Sequence, residues 1–143
     1  MCELLRLRGH ERVLDVGTGS GYHAALLGRL GRRVTSVERH ASLANRARRN
    51  LDAAGIDNVT VVVGDGSCGQ RTDAPYDAIN VAAAASSEAR GRLALQLADG
   101  GRMVSPAAGE EQRMVLLRRS GQDLLETDHG RVRFVPLVGK PSP

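Results

Sequence analysis

Aromatic side chains are almost missing from this 143-residue chain: Tyr22, Tyr76 and Phe134 are the only ones, and there is no tryptophan. A core without rings has to be built from leucine, valine and alanine, which suits a parallel sheet covered by helices and argues against an aromatic-rich sandwich. Cysteine is nearly absent too. Cys2 and Cys68 stand alone, so neither a disulfide framework nor a cysteine metal site is expected. The histidines, His10, His23, His40 and His129, are scattered singly without metal spacing, and no metal is expected. No apolar run approaches the ~20 residues needed to cross a bilayer. Glu3, Arg6 and Arg8 interrupt any apolar stretch that could serve as a secretory leader. These absences leave a soluble, reduced, cytoplasmic protein as the expectation, with no membrane partner.

Lysine is the next scarcity. It occurs once, at Lys140, among 20 basic residues, so the net charge of +4 is carried by arginine. The arginines are interleaved with acids rather than gathered on one stretch. Such a charge speaks to non-specific attraction only, and no nucleic-acid partner is expected. The length allows one domain with a core of its own, residues 1–143, and is too short for two.

What the chain does have is a regular alternation of strand and helix signals. Residues 1–8 read as the end of a helix stopped by Gly9. Residues 12–16 read as a strand. A helix over 22–30 follows, with Ala25, Leu26, Leu27 and Leu30 as its buried stripe, ended by Gly31. Residues 33–38 are the next strand, and a helix over 42–54 has Ser42 as its N-cap. The run Val59-Thr60-Val61-Val62-Val63 predicts a strand covered on both faces. A Gly/Asp/Ser-rich loop leads to a strand at 76–81 and a helix at 87–98. Asp99-Gly100-Gly101 is a turn before a fifth strand near 102–104. Met114-Val115-Leu116-Leu117 and a run within Arg131–Val138 predict two further strands, with Leu124–Thr127 as a short addition. No helix pattern separates these last segments, so they should be antiparallel. The fold class is α/β: a doubly wound, mostly parallel sheet with an antiparallel C-terminal edge.

In such a sheet, ligands bind beyond the carboxyl ends of the strands, beside the first one. There the chain reads Asp15-Val16-Gly17-Thr18-Gly19-Ser20-Gly21-Tyr22. A dinucleotide fingerprint G-x-G-x-x-G would want glycine where Tyr22 stands. Glu38 ends the second strand, where a carboxylate can accept both hydroxyl donors of a ribose. Asp65 follows the third strand within Gly64-Asp65-Gly66, placed to accept from the exocyclic amine of an adenine, with Gly66 letting the ring approach the backbone. Acids at the ends of three adjacent strands, Asp15, Glu38 and Asp65, would repel a pyrophosphate and suit an adenosine that carries positive charge. S-adenosylmethionine has both features.

These residues resemble a known family, the protein-L-isoaspartate O-methyltransferases of the S-adenosylmethionine-dependent methyltransferase superfamily. Val13 to Tyr22 is similar to the family's first motif, Val37-Glu38-Arg39 to its second and Gly64-Asp65-Gly66 to its third. Pro75-Tyr76-Asp77-Ala78-Ile79, Gln96-Leu97 with Gly100-Gly101 and Pro106, and the ending Val132-Arg133-Phe134-Val135-Pro136-Leu137-Val138 also match. The resemblance implies a cofactor-binding set of Asp15, Gly17, Thr18, Gly19, Ser20, Glu38, Asp65 and Gly66. It implies methyl transfer from S-adenosylmethionine to an isoaspartyl carboxylate of a damaged protein or peptide, a reaction that needs alignment and exclusion of water rather than a metal.

The chain also departs from the family. A preceding segment with a Ser/Thr-containing loop covers the active site there and has no counterpart here, so no catalytic hydroxyl is assigned, and a partner supplying that segment is one expectation. Val81-Ala82-Ala83-Ala84-Ala85 replaces a threonine- and proline-containing stretch. Three alternatives therefore stand beside an isoaspartyl methyltransferase: a non-catalytic nucleoside-binding module or half-enzyme, a methyltransferase acting on another carboxylate, and a nicotinamide dehydrogenase. Base methylation is disfavoured, because Asn80-Val81-Ala82-Ala83 lacks the N-P-P-aromatic arrangement that holds a flipped base.

Overall fold

The structure is a computed structural model and describes residues 1–139. Its helices are α1 (Cys2–Leu5), α2 (Tyr22–Leu30), α3 (Ala41–Ala53) and α4 (Ser87–Ala94). Its strands are β1 (Arg12–Val16), β2 (Arg33–Glu38), β3 (Val59–Val63), β4 (Tyr76–Val81), β5 (Leu97–Ala107), β6 (Arg113–Ser120) and β7 (Asp123–Arg131). All seven strands form one sheet in the order β3-β2-β1-β4-β5-β6-β7. The first five are parallel; β6 runs antiparallel to β5, and β7 antiparallel to β6. Order reverses beside β1, which is the switch point of a doubly wound sheet. No helix among the described residues is long and apolar enough to cross a membrane.

Each face of the sheet buries one layer of helices. On one face Val13, Val34, Ala78 and Val104 pack with Leu27 of α2 and Leu5 of α1. On the other, Leu14, Val16, Val37, Ile79, Val81 and Met103 pack with Ala89 and Leu93 of α4. Alternate residues of β1 thus serve opposite layers, as a pleated strand requires. Each fully buried leucine, such as Leu5, Leu14 or Leu27, contributes about 1.5–3 kcal/mol through apolar burial.

Where structure and sequence expectation part, the reasons are local. In α2 the buried residues are Ala24, Leu27 and Gly28, while Leu30 is exposed. The helix is rotated so that Gly28 lies against Val59 and Asn58, too close for a Cβ. α3 starts at Ala41, with His40 as N-cap and Ser42 inside the helix. β3 is the sheet's outer strand, so Val63 is 46% exposed rather than covered on both faces. The predicted helix over 87–98 stops at Ala94, because Leu97 already pairs with Tyr76 as the start of β5. Asp99-Gly100-Gly101 is an irregularity inside that strand, not a turn before it. β7 occupies 123–131, and residues 132–138 leave the sheet instead of forming its last strand. The Gln112 carboxamide takes both polar groups of Phe134, donating to its carbonyl and accepting from its N–H, in place of a neighbouring strand. Pro136 has no N–H to offer a ladder. The segment instead returns to β4's end, where Ala84 N–H donates to Val135 O and Leu137 N–H to Ala84 O, both at 2.8 Å.

Candidate functional site

At the carboxyl ends of β1, β2 and β4 lies a cleft of ≈ 330 Å³, within the range of small-molecule sites. Its floor is Val16, Gly17 and Gly19, its sides Val37, Glu38 and Leu43, and its outer wall Val135, Pro136 and Leu137. A larger depression, ≈ 700 Å³, lies between residues 109–112 and 131–133. It holds none of the predicted acids, and Glu111 and Arg131 within it already neutralise each other as an ion pair.

The floor is the glycine turn. Gly17 and Gly21 have φ of 92° and Gly19 of 54°, a left-handed region that side chains disfavour. Gly17 N–H donates to Val37 O at 3.0 Å and Gly21 N–H to Thr18 O at 2.9 Å. Gly21 is the N-cap of α2 and supplies no side-chain cap, so the first amides of that helix are left to other acceptors.

Glu38 is 6% exposed and stands beside this turn. One carboxylate oxygen accepts from Gly19 N–H at 3.0 Å and the other from His40 N–H at 2.9 Å. The acid and the turn are therefore one hydrogen-bonded unit, and each oxygen keeps lone pairs for a further donor.

The other predicted residues are distributed around the cleft. Gly66 lines it, and its bare Cα is required by packing as well as approach: an added Cβ would lie 2.6 Å from Val16 Cγ1. Asp65 caps the 3-10 turn Gly66–Cys68, its Oδ1 accepting from Ser67 N–H at 3.0 Å and Ser67 Oγ–H at 2.7 Å. Residue 139 packs over this turn, since a Cβ on Gly139 would fall 2.8 Å from the same oxygen. Ser20 is exposed and turned toward α3, where its carbonyl accepts from Asn50 Nδ2.

Asp15 and Thr18 lie beneath the floor. Asp15 is fully buried; its Oδ2 accepts from Ser36 Oγ–H at 2.7 Å and its Oδ1 from Asn80 Nδ2–H at 3.1 Å. Burial pushes the Asp15 carboxyl up, against the pull of the Asn80 and Ser36 hydrogen bonds. Sequence reasoning missed Ser36 and Asn80, because they join Asp15 only through strand register, Asp15 pairing with Ser36 on one side and Asn80 on the other. It also missed the wall formed by Val135 to Val138. Among the described residues, no cluster of three or more His, Cys, Asp or Glu could hold a metal.

The order of strands, the glycine turn and the acid at the end of β2 define a Rossmann-like methyltransferase domain. A solved protein-L-isoaspartate O-methyltransferase superposes with a TM-score of 0.87 at 32% identity, over 96% of this chain and 45% of that one. The profile of the protein-L-isoaspartate(D-aspartate) O-methyltransferase family matches residues 1–142, and the chain belongs to that family. The protein-L-isoaspartate O-methyltransferase of Methanoculleus marisnigri is 51% identical over 98% of this chain. Protein-L-isoaspartate O-methyltransferase 1 of Archaeoglobus fulgidus is 49% identical over 98%. The chain spans 64% and 65% of the length of these two relatives. A structure from Plasmodium falciparum, described as a putative member in complex with S-adenosyl-L-homocysteine, shares the fold with a TM-score of 0.72 at 24% identity.

Proposed function

We propose that this chain binds S-adenosylmethionine in the cleft beside β1 and serves methyl transfer to the carboxylate of an isoaspartyl residue in damaged proteins. The observation that carries the reading is the Gly19–Glu38 hydrogen bond, which ties the glycine turn to a nearly buried carboxylate inside a mainly apolar cleft. A ribose offers two vicinal hydroxyl donors, and Glu38 offers two acceptor oxygens, each with capacity left for one of them. Val37, Leu43 and Leu137 supply apolar surface for an adenine, with Gly66 at its edge and Asp65 one residue away to accept from the exocyclic amine. Gly17 and Gly19 keep the floor low enough for the rest of the cofactor, with the backbone of Thr18 and Ser20 completing the turn. Asp15 supports that floor from below.

When bound, the cofactor supplies an activated methyl group. The chain then has to orient the acceptor carboxylate and exclude water from it. The alanines at 82 and 83 and the wall at 135–137 border the cleft and are the surfaces against which an acceptor would be placed. Membership of the family and relatives near 50% identity support the isoaspartyl acceptor. The free thiols of Cys2 and Cys68 suit a reducing, cytoplasmic setting.

The test is calorimetric titration of S-adenosylhomocysteine into the wild-type chain and Glu38→Ala, followed by labelled-methyl transfer to an isoaspartyl peptide. Binding to wild type that is lost in the variant supports the cofactor site. Binding without transfer points to a module completed by further polypeptide, such as one carrying the Ser/Thr loop of the longer relatives. No binding at all sinks the reading.

A further inference from the structure

Ser36, Asp15 and Asn80 form a row of polar side chains across three adjacent parallel strands, in register and wholly buried. Val13, Val34, Ala78 and Val104 on the same face are apolar, and Leu27 of α2 packs against them. A buried carboxylate in such a place needs donors, and Ser36 and Asn80 supply them. The row does not end there. Thr18 Oγ1 lies 2.6 Å from Ser36 Oγ, and Thr18 itself is 3% exposed.

Counting protons gives this chain a direction. A hydroxyl has one hydrogen to donate. The hydrogen of Ser36 is committed to Asp15 Oδ2 at 2.7 Å. The hydrogen in the Thr18–Ser36 contact is therefore that of Thr18, which donates to Ser36 Oγ. The order is Thr18 to Ser36 to Asp15, and a carboxylate at its end polarises both links in a water-free interior. The Thr18 hydroxyl is consequently turned inward, away from any ligand on the floor above.

The turn that Thr18 belongs to needs such an anchor. Gly17, Gly19 and Gly21 lose more conformational freedom on ordering than other residues would. Gly17 is held to Val37 O, Gly19 to Glu38, and Gly21 to Thr18 O. Thr18 is the one non-glycine residue among these four, and its side chain fixes the carbonyl on which Gly21 depends.

We propose that Asp15, Ser36 and Thr18 form a one-way hydrogen-bond relay that pre-orders the glycine turn before any cofactor arrives. Asp15, Ser36 and the Thr18 side chain are then positioning residues rather than ligand contacts. The turn's ordering cost is met during folding, so binding does not bear it. This rests on the cofactor reading of the cleft for its effect on affinity, though the ordering of the turn itself does not.

Thr18→Val tests it, since the side chain keeps its shape, loses the hydroxyl, and leaves Asp15 with both its donors. Two readouts are used: amide hydrogen exchange of Gly19 and Gly21 in the ligand-free protein, and calorimetric affinity for S-adenosylhomocysteine. Exchange at these two amides should rise roughly tenfold while the strand amides stay protected, and affinity should fall roughly tenfold. Thr18→Ser should restore both. Ser36→Ala breaks the same link and also takes a donor from the buried Asp15, so it should cost at least as much as Thr18→Val, and the double variant should be no worse than Ser36→Ala alone. Unchanged turn exchange in Thr18→Val, failure of Thr18→Ser to restore it, or losses that simply add in the double variant would overturn the relay. Should wild type bind no S-adenosylhomocysteine, the cofactor reading fails, while the exchange arm still decides the relay.

Discussion

Replacing Glu38 by alanine should weaken S-adenosylhomocysteine binding by about two orders of magnitude. The structure supports that magnitude in two parts. A ribose diol on Glu38 makes two hydrogen bonds to a charged acceptor, each worth about 1.5 kcal/mol at the low end of such bonds. Their joint loss, about 3 kcal/mol, corresponds to roughly a 150-fold rise in Kd. The second part concerns the free protein, where Gly19 N–H and His40 N–H both lose their acceptor, at 3.0 and 2.9 Å in the wild type. That loosens the floor and adds to the deficit. Glu38→Gln sharpens the argument. Both carboxylate oxygens accept from backbone N–H groups, so a side-chain amide must turn its NH2 against one of them, and the conservative variant should also lose at least roughly tenfold. Calorimetry gives Kd, and circular dichroism confirms that each variant is folded. A Glu38→Ala protein that is folded and binds S-adenosylhomocysteine within threefold of wild type would refute the assignment of this carboxylate, and with it the orientation of the ligand in the cleft.

Other parts of the structure give further expectations. Gly66→Ala places a methyl group 2.6 Å from Val16 Cγ1, which is fully buried; overpacking of about 2 kcal/mol should lower Tm by roughly 5 °C, and an unchanged melting curve would show that the site yields freely. Tyr76 donates its buried hydroxyl to Gln70 O, and burial pushes its phenol up to about 12. A raised value means that the native state favours the protonated form, so this stability is present below the ordinary tyrosine value of about 10 and is lost as pH rises toward 12. Tyr76→Phe should cost about 1 kcal/mol at neutral pH and flatten the alkaline limb of the stability curve, which denaturant melts at several pH values would show or deny. Glu11 behaves in the opposite sense: burial pulls its carboxyl up, but the backbone N–H groups of Arg8, Glu11 and Gly9 outweigh that and hold it below the usual range. Its stabilisation is present above the ordinary carboxylate value and is lost as pH falls through the lowered native one, so Glu11→Gln should shrink the acid-induced loss of stability. An acid limb identical to that of wild type would count against it.

The first two-thirds of the fold were legible in the sequence because glycine punctuates it. β1, α2, β2, β3 and β4 begin and end where the apolar runs and turn signals place them. Legibility fails where one pattern serves two structures. Leu93 and Leu97, four apart, suggest one helix, yet Leu97 belongs to β5 because Tyr76 pairs with it. The run at 131–138 alternates like a strand, but Pro136 and the Gln112 clamp carry it off the sheet. In the cleft, Gly17, Gly19, Glu38 and Gly66 were visible as motifs local in sequence. The Ser36–Asp15–Asn80 row was not, since its members are separated by 21 and 65 residues and meet only through strand register.

The return of residues 132–137 to Ala84 sets an order of assembly. The floor of the cleft comes from residues 16–19 and its outer wall from residues 135–138. A chain emerging from the ribosome can therefore lay down β1 to β4, turn and acid included, well before the wall exists. Cofactor affinity should then develop late in synthesis and not with the glycine motif that marks the site. The sheet up to β4 is laid down first, and the cleft closes only once residues 132–138 have crossed back over it.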